Sequence, residues 1–183
     1  MVSVTNTLGE LFGAGIEVGG FFMNNQSRNF SDDPESPNYY QPGKRPRTFV
    51  SPLILEEHGR PVLGMGTPGG RRIPTHVFQT IMQFYYGKDE GGNPLDLQEA
   101  IMKPRFYFED GSIYVEEPLD DAVISQLREK GWSVRTNTSS IFYGGIQALG
   151  LEIDENGFVK SIYGGGDDRR RGTWQIKNWD GEE

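Results

Sequence analysis

Apolar and polar residues alternate from the first positions of the chain. Val2 and Val4 stand against Ser3, Thr5 and Thr7, a period-2 pattern of β-branched residues that predicts a half-buried strand. Glycines at 9, 13, 15, 19 and 20 then break the pattern into a loop, and Gly20–Gln26 predicts a second short strand ending in amides. Ser27 to Arg47 carries almost no aliphatic residue, which makes it about 20 residues of irregular surface loop, a length usually reserved for functional or disordered segments. Ser51–Leu55 and Arg60–Gly66 flank the turn Glu56-Glu57-His58-Gly59 and predict a β-hairpin.

The period then changes. Between Ile73 and Tyr86 the apolar residues Val77, Phe78, Ile81, Met82 and Tyr85 recur at helical spacing, Pro74 suits a first helical turn and Gly87 stops the run. A second helix is predicted over Pro94–Met102. A third, over Pro118–Lys130, has Leu119, Val123, Ile124 and Leu127 on one stripe, acids in its first turn, bases in its last and Gly131 after it. Between these two helices, Arg105–Glu109 and Ser112–Glu116 flank Asp110-Gly111, a strong hairpin signal. Trp132–Thr136, Gly145–Asp154 and Phe158–Tyr163 read as strands, the last after an Asn156-Gly157 turn. Two groups of strands with helices clustered between them predict an α+β, layered sheet-and-helix fold.

Composition narrows the chemistry. The 183 residues suit one domain, and 25 Gly with 11 Pro favour turns and backbone-mediated contacts over a helical bundle, coiled coil or solenoid. Net charge is −8, with no basic stripe outside one short run, which argues against nucleic acid as a partner. The absence of Cys excludes disulfides, thiolate nucleophiles, zinc-cysteine sites and iron-sulfur clusters. Only His58 and His76 remain for a histidine-based metal site or a Ser-His-Asp relay, so no metal or other cofactor is expected. No apolar run reaches the ~18 residues of a membrane span, and the first residues lack the regions of a signal peptide. Localisation stays open between a periplasmic or extracellular site and the cytoplasm.

The sharpest local feature is Gly69-Gly70, at a strand-to-helix junction. Two glycines there let backbone N–H groups approach a ligand oxygen, giving an anion or oxyanion site without charged side chains. Such a turn also uses glycine for positive φ alone, so the pair does not decide between these uses. His58, beside two acids in a hairpin turn, reads as solvated, and His76 as a satisfied structural histidine. Asp32-Asp33 and Asp167-Asp168 read as turn and loop residues. Arg169-Arg170-Arg171 reads as a solvated run or as a salt-bridge clamp on the neighbouring acids.

Several strings occur together in one order: V-S-V-T-N-T-L, F-G-A-G-I, Asn24–Gln26, G-K-R-P at Gly43–Pro46 with Ser51-Pro52, and G-T-P-G-G-R-R-I at Gly66–Ile73. Pro104-Arg105-Phe106, Lys130-Gly131, Gln147 and the Gly-Asp-Asp-Arg-Arg stretch at Gly166–Arg170 follow. Over essentially its whole length the chain resembles the small subunit of the gamma-glutamyltransferase (gamma-glutamyltranspeptidase) family. That resemblance implies an N-terminal-nucleophile hydrolase with a four-layer αββα sandwich, whose two central sheets are antiparallel. It implies a Thr nucleophile with its own α-amine as base, a gamma-glutamyl amide substrate, and a large subunit as partner. It implies that Thr7 orients the nucleophile, that Thr5 is the neighbouring family threonine, and that the N–H groups of Gly69 and Gly70 form the oxyanion hole. Gln26 falls at a Glu-or-Gln position that contacts the substrate's α-amino group.

The departures from the family pattern are also informative. The nucleophile belongs to a T-T-H-x-x-V-x-D-x-x-G-N type strand that these residues do not contain. The expectation is therefore a sandwich lacking its first strand, a truncated small subunit or half of a split enzyme, inactive alone. Asn29 stands at the family's substrate-binding Asp, and loss of that charged hydrogen bond is worth about 1.5–3 kcal/mol. Thr48-Phe49 replaces a Ser-Ser pair that holds the α-carboxylate, and Gly9 replaces a substrate-binding Asn. A pocket weakened toward the α-amino acid head also suits a glutaryl or cephalosporin-type acylase on the same scaffold, and a chain without the nucleophile suits a non-catalytic binding remnant.

Overall fold

The computed structural model describes residues 1–5, 7–10 and 12–176. Contacts gather these into two units, one formed by Met1–Ser3 with the chain from Val50 onward and the other by Val4–Phe49.

The larger unit is built on an antiparallel four-stranded sheet. With β1 (Glu17–Val18) and β2 (Phe21–Phe22) assigned to the smaller unit, its strands are β3 (Leu53–Glu57), β4 (Arg60–Gly66), β8 (Gln147–Ile153) and β9 (Val159–Gly166), in the order β3-β4-β8-β9. His58 and Gly59 both take positive φ between β3 and β4, as a tight two-residue hairpin requires. α1 (Ile73–Tyr86) and α2 (Leu97–Met102) belong to the same unit. The core joins Leu63 and Met65 of β4 to Ile73 and Val77 of α1, Leu97 and Ile101 of α2, and Ile146. β-pleating sends alternate residues to opposite faces, so Ile54, Leu149 and Ile162 lie away from this core and are exposed. The sheet is therefore apolar on both faces.

α1 begins and ends where its periodicity predicts, with Pro74 in the first turn and Gly87 at the C-cap. α2 is shorter than the Pro94–Met102 expectation because Asp96 caps it. Asp96 Oδ1 accepts the Glu99 N–H at 2.7 Å and Glu99 Oε2 accepts the Asp96 N–H at 2.8 Å, a reciprocal capping box. Asp96→Ala is expected to cost ~1 kcal/mol, read as a lower thermal midpoint. α3 (Asp121–Glu129) likewise starts later than Pro118.

A second sheet holds β5 (Phe106–Glu109), β6 (Ser112–Val115) and β7 (Ser133–Thr136). Asp110 and Gly111 form the expected positive-φ turn between the first two. β7 pairs parallel to β6, which departs from the expectation of wholly antiparallel sheets. The reason is the crossover: α3 carries the chain back along the sheet, so β7 enters in the same direction as β6.

The smaller unit is mostly irregular. β1 and β2 pair antiparallel, and Gln26–Asn29 is a single 3-10 turn where the Gly20–Gln26 strand was expected to end. The predicted strand over Val2–Thr7 is not formed among the described residues, and Asn6 within it lies outside them. Val2 and Val4 are 85% and 80% exposed, the reverse of the predicted burial. A strand needs a ladder partner for its N–H and C=O groups, and no described segment supplies one here.

Candidate active site

β4 delivers the chain to a turn whose backbone only glycine holds comfortably. Gly69 has φ 143° and Gly70 φ 59°; the latter opens a 3-10 turn over Gly70–Arg72 that runs directly into α1. A Cβ on Gly69 would have its nearest neighbour at 3.7 Å, so the requirement is conformational rather than steric. Among the described residues neither glycine's N–H makes a backbone hydrogen bond. Both sit at the positive end of a 14-residue helix. These are the properties of an anion-receiving turn.

The turn is tied to the chain before β8. Buried Thr67 donates its hydroxyl to the Pro68 carbonyl at 2.8 Å and accepts the Gly145 N–H at 2.8 Å. A buried ionic network anchors that same segment. Arg105 donates to the Tyr143 and Ile101 carbonyls at 2.6 Å each, and pairs with Asp167 at 2.7 Å. Asp167 also accepts the Ile146 N–H at 2.9 Å and an Arg169 guanidinium N–H at 3.1 Å, and Arg169 makes a two-pronged pair with Glu116 at 2.5 and 2.7 Å. Burial alone raises the Asp167 carboxyl, but Arg105, the Ile146 N–H and Arg169 together hold it below the usual carboxylate range. Burial likewise works against the Arg169 charge, and the bonds to Glu116 and Asp167 outweigh it. Arg72, the last residue before α1, lies over the rings of Tyr107 and Phe142 at 4.5 and 4.8 Å and pairs with Glu109 at 2.5 Å.

The other sequence-derived candidates fall in the smaller unit. Thr7 is exposed, and its Oγ1 accepts the Gly9 N–H at 3.2 Å. Gly9, at φ 89°, backs so closely on Asn25 that a Cβ would stand 2.0 Å from Oδ1. Gln26 Oε1 accepts from Asn29 Nδ2 at 2.7 Å, and the Asn29 carbonyl accepts from Asn38 at 2.6 Å. Thr7, Gly9, Gln26 and Asn29 thus belong to one local framework. Thr5 is half-buried, but without a strand its hydroxyl is not aligned with that of Thr7 by a pleat. Thr48 is exposed and Phe49 half-buried, with the Arg47 guanidinium 5.8 Å from the Phe49 ring centre.

Several readings change. His76 is buried but has no hydrogen-bond partner among the described residues, so it is not the satisfied histidine expected. His58 is exposed in its turn. Asp167 does lie in the turn after β9, but it is fully buried as the centre of ion pairs, and Arg169 is the clamp on it, one of the two uses the Arg run left open. Arg105 and Glu116 carried no local signal beyond the Pro-Arg-Phe string, because their partners lie far along the chain. Among the described residues no cluster of His, Asp and Glu has the makings of a metal site, and no helix is long and apolar enough to cross a membrane.

A mixed α and β fold with a positive-φ glycine pair at the mouth of a helix restricts the class, and comparison with known proteins names it. The gamma-glutamyltranspeptidase family matches residues 1–176, and the chain belongs to that family. Over 175 residues it is 41% identical to the capsule biosynthesis protein CapD proenzyme of Bacillus anthracis, covering 96% of this chain and 31% of that one. It is 35% identical to the glutathione hydrolase proenzyme of Bacillus subtilis (strain 168), covering 88% and 27%, and 32% identical to the acylase ACY 1 proenzyme of Pseudomonas sp. (strain SE83), covering 84% and 26%. The chain therefore spans less than a third of the length of these relatives. Among solved structures, the Bacillus anthracis transpeptidase CapD (crystal form II) superposes with a TM-score of 0.74 at 38% identity, over 96% of this chain and 92% of that one. The gamma-glutamyltranspeptidase of Pseudomonas nitroreducens complexed with L-DON gives 0.76 at 29% identity, over 97% and 93%.

Proposed function

We propose that this chain is the C-terminal, small-subunit part of a gamma-glutamyltransferase or glutathione-hydrolase-like enzyme, and that residues 1–183 form one domain of it. The observation that carries this reading is the Gly69-Gly70 turn, with two positive-φ glycines and two N–H groups outside the backbone hydrogen bonds at the mouth of α1. In the proposed reaction a Thr hydroxyl, from a strand outside these residues, attacks the carbonyl carbon of a gamma-glutamyl amide. Its own α-amine takes the proton, and the carbonyl oxygen becomes an oxyanion received by the Gly69 and Gly70 N–H groups. Collapse expels the amine, which leaves with that proton, and forms a glutamyl ester on the Thr. Water or an acceptor amine then releases the acyl group by the same steps in reverse. Thr7 orients the nucleophile, Thr5 supports it, and Gln26, Asn29, Gly9, Thr48 and Phe49 contribute to the pocket for the acyl head.

The two-faced apolar sheet supports the four-layer αββα arrangement. Core residues of α1 and α2 pack on one face, while Ile54, Leu149 and Ile162 are left for a second sheet on the other. A large subunit or N-terminal half of the same precursor would supply that sheet, and the proenzyme names of the relatives agree with it.

A second reading, an acylase of glutaryl or cephalosporin type, is favoured by Asn29 and Phe49 and by the likeness to the acylase proenzyme. Release of 4-nitroaniline from gamma-glutamyl- and glutaryl-4-nitroanilide by the assembled enzyme separates the two. Asn29→Asp is expected to raise kcat/KM for the gamma-glutamyl donor about 10- to 100-fold by restoring a charged partner for its ammonium, without improving the glutaryl donor. Turnover of the glutaryl donor alone, untouched by Asn29→Asp, selects the acylase.

A further inference from the structure

Behind the Gly69-Gly70 turn lies a polar side chain that the reaction above does not use. His76 is 0% exposed on α1, and among the described residues neither Nδ1 nor Nε2 has a hydrogen-bond partner. Thr80, one helical turn on, and Tyr143 are buried in the same way with Oγ1 and the phenol OH unpartnered. A buried polar group without a partner is less favourable than an apolar side chain of the same shape, so core packing alone does not account for an imidazole here.

The surroundings of the ring indicate its use. The Nδ1 edge lies beneath two glycines: a Cβ built on Gly144 would stand 3.5 Å from Nδ1, and one built on Gly69 4.0 Å. The same Cβ on Gly144 would meet Thr67 Oγ1 at 2.4 Å and the Pro68 carbonyl at 2.8 Å. Thr67, Pro68, Gly69, Gly144 and the Nδ1 edge of the imidazole therefore border one small space, open only because positions 69 and 144 carry no side chain. Tyr107 and Tyr143 face the ring at centroid distances of 6.3 and 6.0 Å. Arg105, Arg72 and Arg169 act against a charge on it and Glu116 favours one, and the three arginines are themselves paired with Asp167, Glu109 and Glu116.

We propose that His76 is a positioning residue whose neutral imidazole fixes the backbone of the Gly69-Gly70 turn, and with it the direction of the two N–H groups. The inference rests on the reading of that turn as an oxyanion hole. Burial first, then Arg105 and Arg72, push the imidazole down to about 4, so the ring is uncharged at neutral pH. A proton added to it would put a buried cation beside arginines whose charges Asp167, Glu109 and Glu116 already match, and would disturb its seat against Gly69 and Gly144.

The first test uses the unaltered chain. With two histidines in the sequence, nitrogen-resolved NMR of the imidazoles distinguishes them. The amide resonances of Gly69, Gly70 and Gly144 are expected to move in step with the titration of His76, and glycine amides indifferent to that titration overturn the proposal. The second test is kinetic, on the assembled enzyme. His76→Phe keeps a ring and removes both nitrogens, and His76→Gln keeps a polar group and removes the ring. Both are expected to lower kcat about tenfold with KM nearly unchanged. Wild-type kcat in both, or a change confined to KM, overturns the proposal. Should a variant fail to fold, the titration of the unaltered chain still decides. An unaltered assembled enzyme that is inactive counts against the oxyanion reading, whereas the coupling of the imidazole to the glycine amides is read without activity.

Discussion

Gly69→Ala is expected to lower kcat for acyl transfer about 10²- to 10³-fold while shifting the melting temperature by only a few degrees. The two effects separate because of where Gly69 sits. At φ 143° it occupies backbone space that an L side chain rarely adopts, yet the new methyl would find no atom closer than 3.7 Å. Alanine therefore creates no core overlap, only strain of about 1–3 kcal/mol, which the turn relieves by rotating. Rotation swings the adjacent N–H groups away from the oxygen they would receive, and a lost oxyanion donor is worth about 2.7–4 kcal/mol of transition-state stabilisation. Steady-state kinetics beside a thermal melt gives the comparison. A large fall in stability with kcat preserved in the folded fraction would make the turn a structural glycine and nothing more.

Asp167→Asn is expected to cost about 3–5 kcal/mol of stability, seen as a melting temperature lower by roughly 10 °C or more. The carboxylate is 0% exposed and faces Arg105 at 2.7 Å and Arg169 at 3.1 Å while accepting the Ile146 and Arg169 backbone N–H groups. An amide keeps the shape but leaves Arg105 buried without a counter-charge. Arg28→Ala, which breaks the exposed pair with Glu10, provides the contrast, since such surface pairs contribute little. Acid probes the same region. Asp167 is held below the usual carboxylate range, so its contribution is present while it is ionised and is lost as pH falls through that lowered value. His76, down from 6.5 to about 4, acts over a higher window: the unfolded chain takes up a proton there that the folded chain refuses, and stability falls as pH drops from 6.5 toward 4.

The parts of this structure legible in the sequence are those set by near neighbours. Ile73–Tyr86 appears as a helix with its proline and glycine boundaries because a 3.6-residue period and two end signals agree. The Asp110-Gly111 turn appears because positive φ at consecutive positions selects those residue types, and the first hairpin appears too, although its turn is only His58-Gly59, Glu56 and Glu57 of the expected four-residue turn continuing β3. Gly69-Gly70 is visible as a pair, and its residues alone leave open whether it receives an anion or only turns the chain. What the sequence concealed depends on distant partners. The Arg169 clamp on Asp167 is one of the two readings the Arg run allows, but the further pairing of Asp167 with Arg105 and of Arg169 with Glu116 appears only when the fold joins the Arg105–Glu116 stretch to the segment after β9. The parallel pairing of β6 and β7 depends on the path of α3, which periodicity does not report. At Val2–Thr7 the alternation is real but alternation alone does not make a strand, since its hydrogen bonds need a neighbour. The roles proposed for Thr7, Gln26 and Asn29 come from family likeness, and the structure adds the hydrogen bonds that link Gln26 to Asn29 and Thr7 to Gly9.

The most direct measurement is a rapid-quench experiment on the assembled enzyme with a gamma-glutamyl anilide, followed by mass analysis of the polypeptides. One gamma-glutamyl group is expected on a threonine outside residues 1–183, appearing as fast as the first aniline is released and far more slowly in Gly69→Ala. Aniline release with no acylated threonine, or acylation that proceeds at the same rate in Gly69→Ala, would contradict a Thr acyl-enzyme served by this turn.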